Sequence, residues 1–216
     1  VIRLRDVTKV YRLRGGAVRE VLSGVNASFA RGEAVGILGR NGAGKTTLLR
    51  IVAGVEMPTR GRVERGMSVS WPLGFGGAMH YGISGADNAR FIARIYGKPV
   101  AETVAFVEEF AQLGEYFRMP ARTYSSGMLM RLGFALSMAV EFDCYLVDEV
   151  VATGDAHFAE RCRKALEERR ARSAILFVSH VPNMLRKFCT SGAVLRDGRL
   201  TRYDNLDKAI AAYHAA

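Results

Sequence analysis

The run Gly39-Arg40-Asn41-Gly42-Ala43-Gly44-Lys45-Thr46 carries the densest chemistry in this chain. It matches G-x-x-x-x-G-K-[ST], a pattern in which glycines let the backbone curl its N–H groups around phosphate oxygens. Lys45 is placed to reach β- and γ-phosphates, and the Thr46 hydroxyl to hold Mg²⁺. Asn41, Gly42, Ala43, Gly44 and Thr47 complete the phosphate-facing run. A second pair, Asp148-Glu149, closes the apolar stretch Cys144-Tyr145-Leu146-Val147. Paired acids at a strand's C-terminal end, in a chain that already has a phosphate loop, point to magnesium chemistry. Asp148 then binds the metal, usually through water, and Glu149 orients or deprotonates the attacking water. His180 ends the apolar run Ala174–Ser179, where it could meet a γ-phosphate or serve structure alone. Tyr11, near the end of an early strand, could stack on adenine or simply pack.

These residues need a scaffold, and the pattern around them supplies one. Ala34-Val35-Gly36-Ile37-Leu38 reads as a buried strand, and Thr46 to Ala53 as a helix that stops at Gly54. That is the strand–loop–helix setting a phosphate loop requires. Ile2, Leu4 and Val7 alternate as an edge strand does, and Val21–Phe29 reads as the next strand. Val63 to Trp71 reads as one strand. The glycine- and proline-rich segment 72–82, which includes His80, is expected to be a mobile hinge. Ser84-Gly85-Ala86-Asp87 resembles a capping box opening a helix to Tyr96. Val100–Leu113 is helical, with Val104, Val107, Phe110 and Ala111 on one face. Tyr124-Ser125-Ser126-Gly127-Met128 precedes an apolar helix from Leu129 to Val140. Its start could bind an anion, or Ser could be an ordinary N-cap. After the loop 151–155, Ala156–Arg170 is an amphipathic helix with Phe158, Cys162, Ala165 and Leu166 at helical spacing. Pro182 starts a short helix, Asp197-Gly198 centres a hairpin, and Leu206–Ala215 is helical.

The 216 residues are enough for one large domain, or one domain with an inserted subdomain. No run of about 18 apolar residues could span a bilayer. The opening Val-Ile-Arg-Leu-Arg-Asp reads as a strand rather than a secretory signal, and lacks an initiator Met. Three scattered cysteines, Cys144, Cys162 and Cys189, fit neither a disulfide framework nor a zinc site, which points to a reducing cytosol. A net charge of +10 would attract nucleic acid, an anionic leaflet or an acidic partner, or is simply a solvated surface.

In this order, the motifs resemble the nucleotide-binding subunit of an ABC transporter over essentially the whole chain. Gly39–Thr46 looks like its Walker A motif, and Tyr124–Met128 like its signature motif, with Ser126 replacing the first glycine and Met128 the glutamine. Asp148 and Glu149 look like the Walker B aspartate and catalytic glutamate, followed by Val150 instead of the usual proline. Asp155 falls at the D-loop position, His180 at the switch histidine, and Tyr11 at the adenine-stacking aromatic. His80 stands where the family carries a sensor glutamine; it could bind Mg²⁺-linked water or contact the partner. The wording Ser70-Trp71-Pro72, Tyr124-Ser125-Ser126-Gly127 and Asp148-Glu149-Val150 is similar to ABC-2-type capsular polysaccharide exporters, with O-antigen and teichoic-acid exporters as near relatives. The end at Ala216, without an added sugar-binding domain, favours the capsule type.

That resemblance implies an α/β P-loop NTPase fold with an N-terminal antiparallel β-subdomain and an inserted α-helical subdomain. Residues 1–216 form one ATP-binding domain, with core 1–83 and 141–216 and helical part about 84–140. It also implies ATP and Mg²⁺ as cofactors, and a peripheral seat on the cytoplasmic face of the inner membrane. Two copies sandwich each ATP between the phosphate loop of one and Ser126-Gly127 of the other. The dimer drives a separate polytopic permease, which contacts the polysaccharide; nucleic acid is not expected as a partner. The rival readings are an ABC-type ATPase on nucleic acid or ribosomes, and a simple P-loop kinase.

Overall fold

A computed structural model describes residues 1–13, 15–73, 79–148 and 156–215. Along the chain run β1 (Ile2–Arg12), β2 (Val18–Phe29), β3 (Ala34–Leu38), α1 (Lys45–Ala53), β4 (Arg60–Arg65) and β5 (Val69–Leu73). Next come α2 (Gly85–Ile95), α3 (Val100–Ala111), α4 (Ser126–Met138), β6 (Cys144–Val147) and α5 (Ala156–Arg170). The chain closes with β7 (Ala174–Ser179), α6 (Pro182–Phe188), β8 (Ser191–Arg196), β9 (Arg199–Tyr203) and α7 (Leu206–His214). The fold divides into two compact units. The first holds Val1–Pro72, Phe142–Glu149 and Glu167–Ala216; the second holds Leu73–Glu141 and Val150–Leu166.

In the first unit a three-stranded antiparallel sheet has the order β2-β1-β4, and a six-stranded sheet has the order β5-β6-β7-β3-β8-β9. β3 is flanked by parallel neighbours, β7 on one side and β8 on the other. All five of its residues are buried, as expected for a strand covered on both faces. Ile2, Leu4, Leu22, Val25, Phe29, Val35, Ile37, Leu48, Leu49, Leu146 and Leu176 belong to one core that joins both sheets to α1. The β8–β9 hairpin turns at Asp197 (φ 48°) and Gly198 (φ 74°), two left-handed residues that match the strands' twist.

Two strand expectations are corrected. β1 is the central strand of its sheet, not an edge. Alternation reports one buried face, but it is blind to hydrogen-bonded neighbours. The neighbour it hid is β4, Arg-Gly-Arg-Val-Glu-Arg, a mostly polar run of which the expected strand covered only the part from Val63. Likewise Val63–Trp71 is not one strand: the chain breaks at 66–68, with β4 in the antiparallel sheet and β5 at the border of the other.

In the second unit, Ser84 caps α2 by accepting the Asp87 N–H at 3.0 Å and donating its hydroxyl to the Asp87 carboxylate at 2.6 Å. Phe110, Phe134 and Phe158 pack with ring centroids 5.7–6.3 Å apart, joining α3, α4 and α5. The guanidinium groups of Arg131 and Arg161 lie over the Phe158 and Phe110 rings. Val104 and Ala165 are only partly covered. Thr103 takes the buried place on α3, its hydroxyl donating to the Pro99 carbonyl at 2.8 Å. Of the expected hinge over 72–82, residues 74–78 lie outside the described residues. No described helix is long and apolar enough to cross a membrane. All three cysteines are buried free thiols, and burial pushes each up to about 12, too high for a working nucleophile.

Candidate nucleotide site

The sheet order places β6, β7 and β3 side by side and parallel. Their C-terminal ends therefore share one edge, the side of an open α/β sheet that receives ligands. Asp148 follows β6, His180 follows β7, and Gly39–Thr46 follows β3. Residues more than 100 positions apart thus meet because three strands stop on the same line.

The loop's conformation depends on its glycines. Gly44 caps α1 with φ 102°, and a Cβ there would lie 2.7 Å from a Val21 methyl. At Gly39 a Cβ would sit 2.8 Å from the Leu195 carbonyl. The turn leaves the first N–H groups of α1 at the loop, beside the helix's positive end. Lys45 is 7% exposed, and its ammonium donates to the carbonyls of Gly39 (2.7 Å) and Arg40 (3.1 Å). Burial pulls its pKa below the ordinary lysine value, against the opposing pull of Asp148. Thr46 donates its hydroxyl to Asp148 Oδ2 at 2.9 Å. Burial pushes the Asp148 carboxyl above the ordinary aspartate range, while Thr46 and Lys45 oppose that rise.

Both charges are thus held where solvent serves them poorly, in the wall of a pocket of about 490 Å³. Tyr11, Leu13, Arg19, Lys45, Thr46, Thr47 and Asp148 all line it. A desolvated ammonium beside the N-terminal end of α1 suits phosphate oxygens. The Thr46 hydroxyl and Asp148 carboxylate are hard oxygen donors of the kind Mg²⁺ takes, so the residues present fit a magnesium nucleotide. A second cavity, of about 700 Å³, runs past the other flank of the loop. His180 lines it together with Arg40, Asn41, Gly42 and Ala43. The Ser179 hydroxyl accepts the Val181 N–H at 3.0 Å, a local turn that sets His180 at the strand's end.

The structure therefore gathers Tyr11, the whole loop from Gly39 to Thr47, Asp148 and His180 within the first unit. Glu149, Val150 and Asp155 lie outside the described residues. Ser126 and Gly127 belong to the second unit, as the exposed first turn of α4. Ser125 caps that turn by accepting the Met128 N–H at 3.3 Å, so the helix begins three residues before the expected Leu129. His80, also in the second unit, exchanges backbone hydrogen bonds with the Asn88 side chain at the start of α2. Its Nδ1 accepts the Gly82 N–H at 3.2 Å, so in the neutral ring the proton sits on Nε2.

Sequence reading missed several supporting groups. Arg19 lines both cavities and reaches the Gly42 carbonyl at 3.4 Å. Arg65 donates to the carbonyls of Val52 (2.7 Å) and Ile51 (2.5 Å), at the far end of the helix that carries the phosphate loop. Neither has a motif; an Arg at the end of a mostly polar strand gives no local hint of a helix cap.

The ABC transporter family model matches residues 22–152. The chain is 47% identical to the ATP-binding protein BexA of Haemophilus influenzae, over 99% of this chain and 98% of that protein. It is also 47% identical to the capsule polysaccharide export ATP-binding protein CtrD of Neisseria meningitidis serogroup B, over 100% of this chain and 99% of that one. A solved dimeric ATP-binding cassette in a post-hydrolysis state, bound to ADP and Pi, has the same fold. Its TM-score is 0.81 at 21% identity, over 95% of this chain and 99% of the other. A family match over more than half the chain, around a site built by the same strands that the motifs follow, means that this chain belongs to the ABC transporter family.

Proposed function

We propose that this chain is the ATP-hydrolysing subunit that powers export of a capsular polysaccharide across the inner membrane through a separate permease. The observation that carries the reading is the Thr46–Asp148 hydrogen bond, which joins the two phosphate and metal motifs into one site. The full-length likeness to a protein named for capsule polysaccharide export supports the cargo.

Loop amides, the α1 N-terminus and Lys45 bind the phosphates, with the backbone already arranged before the ligand arrives. Thr46 and Asp148 would hold Mg²⁺, which would supply neutralisation of the phosphate charge. Glu149 takes a proton from the attacking water, and His180 holds the γ-phosphate end. Tyr11 offers its ring to the adenine. In a homodimer, Ser126 and Gly127 of the second copy close the site, so ATP joins the copies and hydrolysis releases them. We assign residues about 84–140 to a helical subdomain that passes this motion to the permease. Phe91 and Ile95, one turn apart on α2 and 52% and 58% exposed, support a protein partner on that helix. The protein then sits peripherally on the cytoplasmic face, and the permease, not this chain, touches the sugar.

Detergent extraction of membranes followed by affinity purification tests this. The expected result is co-purification with a polytopic permease and ATPase activity that Glu149→Gln abolishes while ATP binding persists. Recovery with ribosomes or DNA alone overturns the export reading. Wild-type turnover by Glu149→Gln overturns the base assignment.

A further inference from the structure

The nucleotide pocket has an aromatic wall, and that wall is fastened. Tyr11 donates its phenol hydrogen to Glu56 Oε1 at 2.7 Å, and the phenol oxygen lies 3.4 Å from the Thr47 hydroxyl. Glu56 is pinned in turn. Its N–H donates to the Arg50 carbonyl at 3.2 Å, and its Oε1 receives the Lys9 ammonium at 2.8 Å. Lys9 also donates to the Met57 carbonyl at 2.8 Å, and lies 5.1 Å from the centre of the Tyr11 ring.

A carboxylate can only accept, so the phenol must donate to Glu56, and any bond with Thr47 must run from the threonine hydroxyl to the phenol oxygen. The result is a chain of fixed direction, Thr47 to Tyr11 to Glu56. It begins on the first turn of the phosphate-binding helix and ends just beyond that helix's last residue. Tyr11 is thereby tied to α1 at two levels. Burial alone would raise the Glu56 carboxyl; the hydrogen bonds from Lys9 and Tyr11 outweigh it and hold the group below its ordinary value, charged and able only to accept.

We propose that Glu56 is a positioning residue for the nucleotide base: held by Lys9, it locks the Tyr11 phenol and so fixes the ring as the platform on which a purine stacks. This rests on the assignment of the pocket to ATP. It adds a residue that touches neither phosphate nor base, yet determines how much of the base's stacking is realised on binding. A ring already held loses less freedom when the ligand arrives. Glu56→Gln substitutes an amide that can donate, which removes both the charge pairing with Lys9 and the fixed direction of the chain.

Calorimetry on the full-length protein separates the parts, with ATP and inorganic triphosphate as probes. Glu56→Gln should weaken ATP binding about 3–10-fold, the size expected for freeing one side chain, and leave triphosphate binding unchanged. Tyr11→Phe removes only the hydroxyl, so it tests the same link from the other end and should reproduce the loss. In the Tyr11→Phe background, Glu56→Gln should add nothing. Unchanged ATP affinity in Glu56→Gln, with Tyr11→Ala weakened, overturns the tether while keeping the platform. Equal loss of ATP and triphosphate overturns it in favour of general support of α1. Unchanged ATP affinity in Tyr11→Ala removes the platform and the tether with it. Failure of the wild-type protein to bind ATP instead overturns the nucleotide reading itself.

Discussion

Asp148 is kept where its charge is costly, and that sets a trade between folding and function. Its raised carboxyl pKa means that the folded protein binds that proton more tightly than the unfolded chain does. Stability therefore falls as pH rises from the ordinary aspartate value, about 3.9, through the raised one, and the penalty persists above it. Asp148→Asn keeps an acceptor for Thr46 and removes the charge. In the nucleotide-free protein it should raise the thermal midpoint at neutral pH, with the advantage vanishing below about pH 3.9. The same change should lower magnesium-dependent turnover at least about 100-fold. Scanning calorimetry across pH, with an ATPase assay alongside, checks both signs. Lys45→Ala should weaken direct nucleotide binding; unchanged affinity contradicts the phosphate-loop assignment. At this scale the sequence was readable wherever chemistry is contiguous. Gly39–Thr47 and Asp148 stand in unbroken motifs, and the structure brings them together. Glu56, Lys9 and Arg19 were not readable, because their roles exist only once β1, β2 and the loop after α1 are adjacent.

Elements show the same division between local and non-local information. α1 was legible from end to end because its stop is local: Gly54, at φ 80°, closes it. What secures its last carbonyls is Arg65, from a different strand. Arg65→Met should cost about 1–2 kcal/mol, the worth of charge-assisted hydrogen bonds at a helix end, read by urea unfolding of the nucleotide-free protein. In the second unit Tyr124, immediately before the Ser-Ser-Gly turn, is mostly buried. It accepts the Gly85 N–H at 3.1 Å and donates to the Tyr116 carbonyl at 2.6 Å. Tyr124→Phe takes the acceptor from the Gly85 N–H, while the Tyr116 carbonyl keeps the Met119 N–H at 2.8 Å, so it should destabilise by about 1–3 kcal/mol. The tyrosine opening this motif thus has a bracing role that is independent of any anion. β1 and β4 mark where pattern fails: alternation predicts a buried face, while sheet neighbours are decided by partners 50 or more residues away.

For the whole molecule, the excess of 31 basic over 21 acidic residues leaves two explanations of membrane association open to separation. Attraction of a +10 surface to an anionic leaflet collapses in 1 M salt, where screening acts over about 3 Å. Docking to a permease survives salt and disappears with the permease. The export reading predicts the second pattern in fractionated cells, and salt-released protein in permease-null membranes counts against it. Composition could state the charge but not its arrangement, which only the folded surface defines. The sheet order carries one more consequence, for the growing chain. β3, the strand that presents the phosphate loop, meets its first neighbour in that sheet at Ile175–Ser179. At about 5–20 residues per second, its apolar edge waits on the order of 10 s on the ribosome before β7 exists. Ribosome-stalled chains ending before residue 174 should therefore capture no nucleotide, while released full-length chains should. Until then the unpaired strand is a natural client for chaperones, and ATP cannot serve as a template for folding its own site.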